Sequence, residues 1–180
     1  MNVRLIKIIK AHPRSWLIFC AIFPLILLLF GLYLQIFVGL IPCPMCIVQR
    51  YILIIVMLSS ALAACHKSVN WQKVWIVTWL LFSVFGAYVA AHQSWLQWYP
   101  PLEVSCGRDF YGIVETFPLH RAIPMIFRGG GDCSQVDWTF LGGSIANWSF
   151  VAFNMLALLS LFTLKITNAL SHKSRQDSAN

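Results

Sequence analysis

The sequence predicts an all-α membrane protein: a bundle of four transmembrane helices whose two outer loops carry cysteine pairs. Three observations predict it. Hydrophobic residues make up 59% of the 180 and charged residues only 11%, against roughly 25% charged in soluble domains. Four apolar runs each come close to the ~20 residues a helix needs to cross hydrocarbon. Lysine and arginine flank those runs instead of clustering on one soluble face. The length allows a single domain over 1–180. The net charge of +7 would suit a nucleic-acid partner. No zinc-finger, helix-turn-helix or RNA-binding signature accompanies it, so that class is set aside.

The first run, Trp16 to Leu34, follows a basic start of Arg4, Lys7, Lys10 and Arg14. A secretory leader begins in the same way. This run is too long for one, and no small-residue cleavage site follows, so a retained helix is expected. The second run, Ile47 to Ala64, is apolar apart from Gln49, Arg50 and two serines. Val74 to Ala91 and Trp148 to Leu164 are the third and fourth. All four are apolar on nearly every face, so length and lack of charge identify them better than periodicity does. Backbone polar groups in lipid must be paired within the segment, which makes each run a helix.

Charge placement orients the bundle. Nine of the 13 basic residues lie in the N-terminal tail (Arg4, Lys7, Lys10, Arg14), the 65–73 connection (Lys67, Lys73) and the C-terminal end (Lys165, Lys173, Arg175). Cytoplasmic segments carry such an excess. Five of the six acidic residues (Glu103, Asp109, Glu115, Asp132, Asp137) lie in the 92–147 connection. Both termini are therefore expected in the cytoplasm, with loops 35–46 and 92–147 outside. The polar tail "SHKSRQDSAN" is expected to fray.

This topology sorts the six cysteines. Cys43, Cys46, Cys106 and Cys133 face the oxidising side, where disulfides persist; Cys20 and Cys65 face the reducing side and read as small packing residues. "CPMC" reads as a helix start, with Cys43 near the N-cap, Pro44 at the first helical position and Cys46 in the first turn. Residues three apart on a helix have Cβ atoms ~5–6 Å apart, near disulfide range. A bridge closing so small a ring constrains little of the unfolded chain, so reactivity explains the pair better than stability does. The positive end of the helix dipole favours a thiolate there. A closed zinc site would need four Cys or His ligands. The outer cysteines with His92 and His120 could supply them, but no second CxxC and no paired-histidine spacing supports that reading.

Arg50 follows Cys46 by four residues, on the same helical face. A charge just inside the membrane is a functional hypothesis, although snorkelling to headgroups is the plain alternative. Beside a thiolate, a guanidinium stabilises it and can donate to a carbonyl-bearing ligand. Gln35 is a second polar group at that depth, with interface solvation as its plain reading.

The 92–147 connection is too long to be passive. "FYGIVETFPLHRAIPMIF" could form a helix lying on the membrane surface. Gly129 to Gly131 suggest a flexible segment before Cys133, suited to exchange of partners; a rigid staple from Cys106 to Cys133 is the alternative. Two outer sulfur pairs can pass electrons by thiol–disulfide exchange. No haem-attachment, dinucleotide-binding or iron–sulfur pattern offers a sink. A quinone would: its carbonyls accept hydrogen bonds and its tail dissolves in lipid.

"PCPMCIVQR" at 42–50, Gln35 before it, "WLQWYP" at 95–100 with Cys106 following, and "PMIFRGGGDCSQVDWTFLGG" at 124–143 with Trp148 beyond together resemble the disulfide-bond formation protein B (DsbB) family. These are quinone-dependent thiol oxidases of the bacterial inner membrane. The resemblance covers all four helices and both outer loops. It implies that Cys106 forms a mixed disulfide with a periplasmic DsbA-like thiol oxidase and that Cys133 then passes electrons to Cys43 through an inter-loop disulfide. It further implies that Cys46 is the thiolate facing ubiquinone or menaquinone, with Arg50 binding or polarising it, and that no metal takes part. Some members carry a histidine near the quinone; a gap-free match puts Gln93 there, with His92 one step away, so both are candidates. A vitamin K epoxide reductase-like enzyme would carry its CxxC late in the chain, unlike this one. A DsbI-type branch with a dedicated partner, and a non-enzymatic membrane protein with structural disulfides, are the remaining alternatives.

Overall fold

The computed structural model describes residues 13–100, 124, 131–134, 136 and 138–177. Among them, helix α1 runs Pro13–Phe37, α2 Pro44–Cys65 and α3 Val69–Trp98; a single turn, α4, spans Gly131–Ser134. A two-stranded hairpin follows, β1 (Thr139–Phe140) and β2 (Gly143–Ser144), leading into the last helix, α5 (Ile145–Asp177). Four of these helices are long and apolar enough to span a membrane, so the chain is a multi-pass α-helical membrane protein.

The helices outrun the apolar runs that mark them. α3 starts at Val69 instead of 74 and continues through Trp98 instead of stopping at 91. His92 and Gln93 therefore lie on a helix and not in the outer loop. The physical reason is that "HQSWLQW" holds no helix breaker; the helix ends just before Pro100 and Pro101, whose rings cannot continue it. Likewise α5 carries on through "SHKSRQD" to Asp177, so most of the tail expected to fray is helical. At 1.5 Å per residue the 30 residues of α3 extend about 45 Å, longer than the ~30 Å of hydrocarbon, so its ends can be polar.

α2 packs on both α1 and α3, and α3 on α5. The core between them is built from Met45, Val56, Ile76, Trp79, Val89, Phe153 and Leu156, all fully buried. Outward, Phe19, Leu29, Leu58, Leu81, Val84 and Leu158 are exposed, the apolar belt that lipid would cover. Gly86 sets the closest approach. A Cβ there would stand 2.4 Å from the Phe153 ring, so only glycine lets α3 and α5 meet this tightly. At the end bearing Arg14, Trp16 Nε1 donates to Thr163 Oγ1 at 3.0 Å, tying α1 to α5.

The hairpin is the one departure from an all-helical chain among the described residues. Its two-residue turn holds Leu141 and Gly142 at positive φ, 49° and 79°, as a type I′ connection requires. The strands position the start of α5: Ser144 Oγ accepts from Asn147 N at 3.4 Å, donates to Gln97 Oε1 on α3 at 2.6 Å, and so caps one helix while holding another.

Candidate functional site

Gly39, at φ 75°, turns the chain after α1 and brings it back as "IPCPMC". Cys43 is the N-cap of α2, Pro44 stands in the first turn, and the Cys43 side chain accepts from Cys46 N. That contact measures 3.3 Å. The cap geometry thus places both sulfurs at the head of the helix, 2.7 Å apart, with Cys43 donating to Cys46. Cys133, on the α4 turn, is buried and belongs to the same packed cluster as Cys43, Cys46 and Met45. Its side chain is hydrogen-bonded to Cys43; that bond, then the bond to Cys46, then burial, push the Cys43 thiol far above the ordinary thiol range. Within the Cys43–Cys46 pair, Cys43 is the hydrogen-bond donor.

Helix α3 supplies the next partner. Gln93 is buried, and its Nε2 lies 3.3 Å from both Cys43 Sγ and Cys46 Sγ. Gln49, one turn after Cys46 and equally buried, donates from Nε2 to Gln93 Oε1 at 2.8 Å. Arg50 turns towards α1: one guanidinium nitrogen donates to Gln35 Oε1 and another to Gly31 O at 3.1 Å. Gln35 here holds the arginine, and Arg50 is engaged within the bundle.

These groups border an apolar cavity of about 680 Å³ between α1, α2, the start of α5 and the hairpin. Gln35, Cys43, Cys46, Gln49, Arg50, Gln93 and Gln97 are its polar groups on the first three helices; Phe23, Leu27, Phe30, Leu53, Trp138, Phe140 and Trp148 are among its apolar walls. Trp138 meets Phe30 edge-on at 6.1 Å, and Trp148 Nε1 donates to Phe140 O at 2.9 Å. Trp138, Phe140 and Trp148 thus wall one side of the cavity.

Of the residues singled out in the sequence, Cys43, Cys46, Cys133, Arg50, Gln35 and Gln93 come together here. His92 does not line the cavity; its ring stacks on Tyr88, 6.4 Å between centroids. Cys106 lies outside the described residues, as do His120 and the stretch 110–127 apart from Pro124. Gly131 opens the α4 turn, while Gly129 and Gly130 are outside the described residues. Cys20 is buried in α1 and Cys65 is exposed at the end of α2. Sequence reasoning passed over Gln49 and Gln97. Their signal is helical spacing, Gln49 three after Cys46 and Gln97 four after Gln93, which puts amides on the faces that carry the site.

Fold and site together define a class: a multi-pass membrane protein with two cysteines on the wall of an apolar cavity in the bundle and a third hydrogen-bonded to one of them. The family model described as Disulfide bond formation protein DsbB matches residues 13–163. The chain belongs to that family, and disulfide bond formation is the function the family carries. Among its relatives, the Disulfide bond formation protein B of Paracidovorax citrulli (strain AAC00-1) is 58% identical over 156 residues, 87% of this chain and 89% of that protein. That of Albidiferax ferrireducens is 60% identical over 149 residues, 83% of this chain and 86% of its own length. The protein of the same name from Azoarcus sp. (strain BH72) is 49% identical over 139 residues, 77% and 84% of the two chains.

Proposed function

We propose that the chain is a quinone-dependent thiol oxidase of the bacterial inner membrane, with both termini cytoplasmic, which reoxidises a periplasmic DsbA-like dithiol protein. The observation that carries this reading is that Cys43 and Cys46 line an apolar cavity that also holds Arg50, while Cys133 is hydrogen-bonded to Cys43. A staple would need two sulfurs; three in contact suit exchange.

The chain's own residues can move an electron pair as follows. A thiolate of the partner attacks Cys106, breaks the Cys106–Cys133 bond and frees Cys133. The partner's second thiol displaces Cys106, and the partner leaves as a disulfide. Cys133 attacks Cys43, forming a Cys43–Cys133 bond and releasing Cys46 as a thiolate. Cys106 then takes back Cys133, and Cys43 leaves as a thiol. Each exchange breaks one S–S bond and makes one, so electrons are conserved. Hydrogen-bonding between Cys133 and Cys43 supports the third step, and the high proton affinity of Cys43 supports its leaving as a thiol while Cys46 carries the charge.

The cavity fits a quinone in size and chemistry. Ligand pockets run ~300–1,000 Å³, mostly apolar with a few placed polar groups, and this one measures about 680 Å³ with Arg50, Gln35 and Gln93 on its wall. When bound, a quinone supplies an acceptor for two electrons and two protons, released as the Cys43–Cys46 bond re-forms. Arg50, fixed by Gln35 and Gly31, would orient an acceptor carbonyl, and Trp138 and Phe140 would exclude water. The test is quinone reduction by purified protein given reduced DsbA-like partner. Serine variants of Cys43, Cys46, Cys106 and Cys133 should be inactive, and those of Cys20 and Cys65 active. Activity surviving the loss of Cys133 would refute the relay.

A further inference from the structure

Two buried amides touch the sulfur pair, and their orientation is not symmetric. The nitrogen of Gln93 is 3.3 Å from each of Cys43 Sγ and Cys46 Sγ, whereas its oxygen is 3.9 Å from Cys46 Sγ. A carboxamide donates from one end and accepts at the other, so which end faces sulfur decides whether it supports an anion there. The other end is held: Gln49 Nε2 donates to Gln93 Oε1 at 2.8 Å. Gln49 can do this because its own side chain is buried between α2 and α3, away from water.

The charged and titratable groups around Cys46 are few. Cys43 donates to it from the N-cap, Cys133 meets Cys43 from α4, and Arg50 lies four residues on, with its hydrogen bonds given to α1. From α3 the neutral Gln93 amide donates to the sulfur. A neutral donor persists at every pH, unlike a histidine or lysine, which must be protonated to serve.

We propose that Gln49 is a positioning residue: by occupying Gln93 Oε1 it keeps the Gln93 amide N–H aimed at Cys46, and so sustains a Cys46 thiolate. This rests on the reading of Cys46 as the thiolate of the relay. Without Gln49 the Gln93 amide is free to turn its oxygen to the sulfur, where it would accept from a thiol and oppose ionisation. The device is electrically silent, so its loss moves the ionisation of Cys46 without adding a titrating group.

The test measures alkylation of Cys46 against pH in the fully reduced protein, resolved from the other cysteines by peptide mass. Gln49→Met and Gln93→Leu remove donor and bridge with little change of volume. A hydrogen bond to a charged group is worth enough that Gln93→Leu should slow alkylation at neutral pH about tenfold or more, with the whole profile displaced to higher pH. Gln49→Met should move it the same way by less. In the Gln93→Leu background, Gln49→Met should then do nothing more, because Gln49 acts only through Gln93. Full-speed alkylation in Gln49→Met, or effects that multiply in the double variant, would overturn the proposal. Slow alkylation of buried Cys133 in the same samples reports that each variant is folded; where Gln49→Met unfolds, Gln49→Leu takes its place. A wild-type Cys46 no more reactive at neutral pH than Cys65 would instead refute the thiolate reading beneath it.

Discussion

The two ends of α2 each carry cysteine, and they differ in company. At the N-terminus Cys46 has the Cys43 sulfur at 2.7 Å, the Gln93 amide at 3.3 Å and Cys133 in the same cluster. At the C-terminus Cys65 is exposed, the last residue of its helix. The helix dipole presents partial positive charge to the first and partial negative charge to the second, so the same side chain meets opposite fields. Burial alone does not make the difference, since Cys20 is buried in α1 as deeply as Cys133 is beside α3. What distinguishes Cys46 from Cys20 and Cys65 in the structure is a second sulfur in reach and an amide donor aimed at it.

The sharpest way to break this contrast is substitution at its two poles. Cys46→Ser should take quinone reduction to background, and Cys65→Ser should leave it at the wild-type rate, with both proteins equally folded by circular dichroism. Next comes a contrast within the sulfur end itself. Hydrogen bonding with Cys133 and Cys46, and burial, raise the pKa of the Cys43 thiol. A raised pKa keeps the thiol protonated and unreactive until the pH climbs past it. In the reduced protein at neutral to mildly alkaline pH, Cys43 should therefore alkylate markedly more slowly than Cys46, because the thiolate is the reacting form. Comparable rates at the two sulfurs would mean that the proton is shared between them.

A third step down concerns Arg50. Its fork bridges Gln35 and Gly31 O, which a lysine cannot span in the same way. Arg50→Met should lower kcat/KM for quinone about 10- to 100-fold, the range expected when a charge-assisted contact is lost. Arg50→Lys should recover part of it. An effect confined to folding, with kcat/KM of the folded fraction unchanged, would return Arg50 to a structural role.

How far the sequence foretold these contrasts follows from how local each one is. The four spans were legible because length and missing charge are properties of the chain itself. The CPMC cap was legible because Cys43 and Cys46 are three residues apart, within one turn. Contact between Cys133 and Cys43 was implied only by resemblance to a family, since 89 intervening residues leave every pairing open to spacing arguments. Gln49 went unremarked as a site residue because an uncharged amide in an apolar run gives no warning of a partner on α3. That Gln93 and not His92 borders the cavity follows from helix α3 continuing past Ala91, a boundary that hydropathy misplaces where polar residues continue a helix. The Leu141–Gly142 turn was invisible for a different reason: leucine rarely takes positive φ, so local turn chemistry argues against what the hairpin needs.

The smallest effects sharpen the comparison because they can be matched. Ser144 at the sulfur end caps α5 and donates to Gln97. Thr163 accepts from Trp16 and donates to Leu159 O in the bundle end that carries Arg14. Ser144→Ala loses a cap, and Thr163→Val loses a hydrogen bond while keeping its shape. Each should cost about 1 kcal/mol of stability in a denaturation series. Their effects on turnover should nevertheless differ. Ser144 anchors the hairpin that carries Trp138 and Phe140 over the cavity, so its loss should raise KM for quinone a few-fold, while Thr163→Val leaves KM alone. If both variants moved KM together in proportion to stability, the two ends of the bundle would be coupled through the whole fold, and the sulfur end would owe its behaviour to global rigidity instead of its own contacts.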